Sequence, residues 1–195
     1  MTVVLDYGMG NLRSVQKAVQ HLGYECEVAE TLTKAERLIV PGVGAFAAAM
    51  QRLASVKDDI ASFVRDGGRL LGICLGQQLL FEKGLEHGEC AGLGLLEGTV
   101  RYLQPSAGNK VPNIGWCAVE PHPDKDVLAG IEPGTQFYFV HSLYTDCPHD
   151  VIAGTAMHTA AFPAAVQQGG VWGTQFHPEK SSDCGLHVLK NFLRC

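Results

Sequence analysis

The stretch Gly72-Ile73-Cys74-Leu75-Gly76 places a sulfur nucleophile in a distinctive setting. An apolar run precedes it and a helical run, Gln77 to Phe81, follows, so the pentapeptide occupies a strand-to-helix turn. Glycines two residues to either side leave room for the tight, strained backbone that pushes a side chain outward from such a turn. At the positive end of a helix the thiolate is favoured over the thiol, and the N–H of Leu75 is free to donate to an oxyanion. A small buried cysteine between packing glycines would carry the same letters, so nucleophilic chemistry requires a base elsewhere in the chain.

His177-Pro178-Glu179 supplies one. It follows the apolar run Val171 to Phe176, so the imidazole projects from the carboxyl edge of a sheet, where ligands of open α/β sheets bind. In extended chain His177 and Glu179 point the same way, which lets the carboxylate accept from one ring nitrogen while the other faces the sulfur. Taken alone, such a pair is better read as a solvated turn with an incidental histidine; the elbow cysteine is what changes that. Pro41-Gly42-Val43-Gly44, also after an apolar run, has glycines whose N–H groups can approach a ligand and provide a second oxyanion donor. An ordinary Pro-Gly turn has the same spacing.

The elements that must position these groups alternate. Strands are expected at Val3 to Leu5, Glu25 to Val28, Arg37 to Val40 (ended by Pro41) and Arg69 to Ile73. Between them lie a helix capped by Asn11 and stopped by Gly23, and another opened by a Ser55/Asp58 capping box and stopped by Gly67-Gly68. From about residue 98, glycines, prolines and aromatics punctuate short runs, among them Thr99 to Leu103, Gln136 to Val140, Val151 to Ala156 and Ala164 to Gln167, a pattern of antiparallel strands. An amphipathic helix closes the chain from Ser181. The expected fold class is α/β, an open, mostly parallel sheet with helices on both faces and an antiparallel extension, in a single domain over 1–195.

Composition excludes several alternatives. With 46% hydrophobic and 18% charged residues the chain can bury a core and is not disordered. A net charge of −5 and the lack of a basic cluster argue against a nucleic-acid partner. The seven cysteines form no CxxC pair, which points to a reducing, cytoplasmic setting rather than a disulfide framework. Asp6 comes too early for a signal peptide, and no apolar window is long enough to span a membrane. No metal is expected, since His122, His149 and His158 lack ligand spacing. No cofactor is expected either: Gly8-Met9-Gly10 begins a dinucleotide fingerprint, but Arg13 stands where its third glycine belongs.

GICLGQQLLFE, FHPEKS and PGVGAF together resemble the class I glutamine amidotransferases. DYGMGNLRSV, KVPNIGW and YFVHSLY are similar, within that class, to the glutaminase subunits of imidazole glycerol phosphate synthase, and the resemblance runs over residues 3 to 193. It implies a flavodoxin-like sheet and a triad of Cys74, His177 and Glu179 that hydrolyses glutamine through a cysteinyl thioester. It also implies a (β/α)8-barrel cyclase partner, forming a heterodimer that uses the released ammonia in histidine biosynthesis. Gly42, Val43 and Leu75 would form the oxyanion site. Gln78, Glu86, His141, Ser142 and Leu143 would line the glutamine, and Asn11, Lys110, Trp116 and Lys180 would face the partner or a tunnel mouth. Asn113, Cys117 and Leu143 depart from the residues usual in the family, as does Lys83-Gly84-Leu85 before Glu86. A stand-alone thiol hydrolase or peptidase of the same fold is the alternative, and it would need neither KVPNIGW nor YFVHSLY.

Overall fold

The computed structural model describes residues 1–106 and 108–195. Its first half comprises Thr2–Leu5 (β1), Leu12–His21 (α1), Cys26–Ala29 (β2), Arg37–Gly42 (β3), Phe46–Leu53 (α2), Lys57–Arg65 (α3), Arg69–Cys74 (β4) and Leu75–Leu79 (α4). Then follow Phe81–Gly84 (β5), Cys90–Ala91 (β6), Leu96–Tyr102 (β7), Asn113–Pro121 (β8), Thr135–His141 (β9) and Leu143–Asp146 (β10). Ile152–Met157 (β11), Ala161–Gln168 (β12), Val171–Thr174 (β13) and Ser182–Arg194 (α5) complete the chain.

A nine-stranded sheet in the order β2-β1-β3-β4-β13-β12-β11-β8-β9 forms the frame. Strands β2 through β13 in that order run parallel. The remaining four continue the sheet antiparallel, which makes it an α/β fold with a mixed sheet. Alternate residues of the parallel strands feed two cores: Val4, Ile39 and Leu71 pack with α1 and α5, whereas Val3, Leu38 and Leu70 pack with α2 and α4. Strands buried on both faces read as near-unbroken apolar runs, which is why β1, β3 and β4 were easy to recognise. Against the second core lies a four-stranded sheet, β10-β7-β5-β6, that the sequence pattern did not announce.

Four local expectations need correction. Strand β3 runs through Pro41 to Gly42, paired with Ile73 and Cys74 of β4, instead of ending at Val40. Strand β1 pairs with β3 only as far as Ile39, so beyond that point one side of β3 is open and can accept a residue without an N–H. The Ser55/Asp58 capping box does not form; α3 starts at Lys57 after Val56, without a side-chain cap among the described residues. Asn11 precedes α1 without a side-chain cap bond of its own. The helix after Cys74 spans Leu75–Leu79, and Phe81 already belongs to β5. Gly23 does serve as the left-handed stop after α1, at φ 85°.

Candidate active site

Cys74 ends β4 at φ 56° and ψ −109°, a left-handed conformation that a non-glycine residue adopts at a cost of order 1–3 kcal/mol. Its glycine neighbours act through close packing. A Cβ on Gly72 would come within 2.5 Å of the Gly76 carbonyl oxygen, and one on Gly76 would overlap the Val40 carbonyl oxygen. Helix α4 can therefore lie against β3 and β4 only with glycine at both positions. The sulfur, on a residue 6% exposed, donates to the Val140 carbonyl at 3.6 Å and accepts from Gln175 Nε2 at 3.7 Å.

Three residues beyond β13, His177 Nδ1 donates to Glu179 Oε1 at 3.0 Å, which leaves Nε2 for the sulfur. The pair is set by a 3-10 turn, Pro178–Lys180, and not by the extended chain the sequence suggested. Ser181 fixes that turn: its hydroxyl donates to the His177 carbonyl at 2.7 Å and accepts from the Tyr138 N–H at 3.0 Å. Burial opposes a charged imidazole, but hydrogen bonds to Cys74 and Glu179, reinforced by the charges of both, push the His177 pKa up to about 9. The site thus favours a protonated imidazole beside the sulfur. Both groups open on a cavity of about 340 Å³, also lined by Val43, Gln78, Glu86 and His141.

Residues 3–195 match the family model of class-I glutamine amidotransferases. The chain belongs to the class-I glutamine amidotransferase family. It is 42% identical to the imidazole glycerol phosphate synthase subunit HisH of Bacillus cereus strain AH187 over 199 residues, spanning 98% of this chain and 93% of the relative. Identity to the subunit HisH of Bacillus anthracis strain CDC 684 / NRRL 3495 is 41%, with the same coverage. A crystal structure of a glutamine amidotransferase superposes with a TM-score of 0.73 at 23% identity, covering 98% of each chain. PurLQS from Thermotoga maritima superposes at 0.75 with 20% identity, covering 99% of this chain and 96% of its own.

In this amidotransferase the cavity gathers most of the residues singled out from sequence. Ser142, Leu143 and Lys180 line it with those already named, and Leu75 opens α4 at its edge. Gly42 pairs in register with Cys74, which brings the Pro41–Gly44 loop beside the sulfur-bearing residue. Tyr7 anchors that loop by donating to the Pro41 carbonyl at 2.8 Å, and burial pushes its phenol pKa well up. Glu86 accepts from the Phe46 N–H at 2.6 Å, so its carboxylate also caps α2. Lys110 and the half-exposed Trp116, which stacks edge-on against Tyr138 at 5.9 Å, lie outside the cavity lining, as does Asn11.

His141 lines the cavity with its ring tied into the surrounding chain. Nδ1 donates to the Leu143 carbonyl at 2.7 Å and Nε2 accepts from Asn113 Nδ2 at 3.0 Å, so both nitrogens hold protein groups. Burial pushes its pKa down to about 4, against the opposing pull of the Leu143 carbonyl, and keeps the ring neutral. Gln175 and Ser181 were not picked out from sequence. A polar residue in the run Val171 to Phe176, two places before His177 and hence on its side of an extended chain, was the signal available for Gln175.

Proposed function

We propose that this chain is the glutamine-hydrolysing subunit of an imidazole glycerol phosphate synthase, acting as one amidotransferase domain over residues 1–195. Cys74 is the nucleophile, His177 the proton carrier and Glu179 its orienter. The Cys74 thiolate attacks the side-chain amide carbon of glutamine, and the oxyanion is met by N–H groups of Leu75 and of the Gly42-Val43 strand. As the C–N bond breaks, the His177 imidazolium gives its proton to the leaving nitrogen, releasing ammonia and a glutamyl thioester. Neutral His177 then takes a proton from water; hydroxide adds to the thioester and the Cys74 thiolate leaves, yielding glutamate.

Gln78, Glu86, Ser142 and Leu143 hold the substrate, with His141 fixing the wall they share. Ammonia passes to a (β/α)8-barrel cyclase subunit, which yields imidazole glycerol phosphate and AICAR ribotide. A sheltered route matters because ammonia in neutral bulk water is mostly ammonium, which has no lone pair to attack with. The barrel docks on the face where Ile114 and Trp116 are exposed on β8, and Lys110, Lys180 and Asn11 face the barrel or the tunnel mouth. Seven unpaired cysteines suit a reducing cytoplasm, and no helix among the described residues is long and apolar enough to cross a membrane.

One observation carries the reading: an elbow cysteine beside a His177–Glu179 pair at a cavity, in a chain 42% identical to a HisH subunit. Cys74→Ser should cut glutamate release by at least ~10³-fold, while the complex with its cyclase still turns over on ammonium salts. Glutamine-dependent turnover retained by that variant would remove Cys74 from the mechanism.

A further inference from the structure

Gln175 is fully buried between β13 and His177, and both ends of its carboxamide are engaged. Which end faces the sulfur follows from one carbonyl. Leu143 O, an acceptor only, takes one hydrogen of Gln78 Nε2 at 3.2 Å. The second hydrogen of that nitrogen points to Gln175 at 2.9 Å, so Gln175 must present its oxygen there and its NH₂ to Cys74 Sγ, 3.7 Å away. The same carbonyl settles the other direction: His141 must carry its proton on Nδ1, accept at Nε2, and receive the Asn113 NH₂. Hydrogen bonds in such a chain polarise one another, and accepting at Oε1 makes Gln175 Nε2 a better donor.

The sulfur therefore has one neighbour suited to the thiol, the Val140 carbonyl, and two suited to the thiolate, Gln175 Nε2 and the His177 imidazolium. We propose that Gln175 is a further catalytic residue of this amidotransferase, its side-chain N–H holding the charged sulfur of Cys74 in place for attack and for departure from the thioester. The proposal rests on the glutaminase reading above.

The test uses the full-length chain with Gln175→Met, which removes the donor at similar volume, and Gln175→Glu, which keeps the shape and the acceptor for Gln78. Iodoacetamide alkylation of the Cys74 peptide, followed by mass spectrometry across pH, reports the thiolate directly. Both variants should shift the Cys74 profile to higher pH and slow neutral-pH labelling about tenfold, the Glu variant more. Glutamate release should fall about 10- to 100-fold in kcat, with KM within about threefold. The Glu variant carries the test if the Met variant does not fold. A Gln175→Glu profile superimposable on wild type, with unchanged kcat, overturns the proposal alone. Wild-type Cys74 labelling no faster than the other six cysteines overturns the glutaminase reading and this proposal with it.

Discussion

Two histidines line one cavity, and the fold drives them to different charge states. His177, on the turn after β13, is pushed up to about 9; His141, at the end of β9, is pushed down to about 4. They are 3% and 5% exposed, so burial does not separate them. Their neighbours do. His177 meets a sulfur and a carboxylate, whereas His141 meets an amide and a carbonyl and feels the charge of His177 itself. Neutral dipoles do not offset the desolvation of a cation; a nearby anion does. One histidine is thus held in its charged form and the other is held neutral.

The largest effect that could break this contrast is at Glu179. Glu179→Gln keeps the shape of the turn but gives His177 a neutral neighbour, so its pKa should fall and glutamate release should drop on the order of 10²–10⁴-fold. Steady-state kinetics across pH reads both changes; activity within threefold of wild type would erase the distinction between the two histidines.

A smaller effect sharpens the same contrast from the other side. The folded-state pKa of His141 lies below its ordinary value of 6.5, so the folded chain binds fewer protons there than the unfolded chain. The resulting stability is complete above pH 6.5 and is lost as pH falls through about 4, amounting to about 3 kcal/mol. Urea unfolding at several pH values should show that slope in wild type and not in His141→Gln. An identical slope in the variant would mean that His141 titrates freely.

Parts of the site also differ in how far they could be read in advance. Cys74, the Pro41–Gly44 loop and the His177–Glu179 pair sit in segments whose geometry is set locally, by glycines, a proline and the strand just before them. Strands β1, β3 and β4 were equally legible, because burial on both faces writes them as near-continuous apolar runs. Helix α2 was missed because no clear stop separates it from α3; only Ala54 to Val56 intervene. The second sheet escaped notice because β5, β6 and β10 are two to four residues long, and β10 finds its partner far back along the chain, Leu143 beside Tyr102. Gln175, Ser181 and Tyr7 share that difficulty, since their bonding partners lie 97, 43 and 34 residues away.

The most direct measurement is peptide-level mass spectrometry after exposure of the full chain to a glutamine-like diazoketone. A single adduct at Cys74, suppressed by glutamine and strongly slowed in His177→Asn, is the predicted result. Labelling at another residue, or equal labelling of Cys74 with and without the imidazole, would contradict the assignment of this cavity to glutamine hydrolysis.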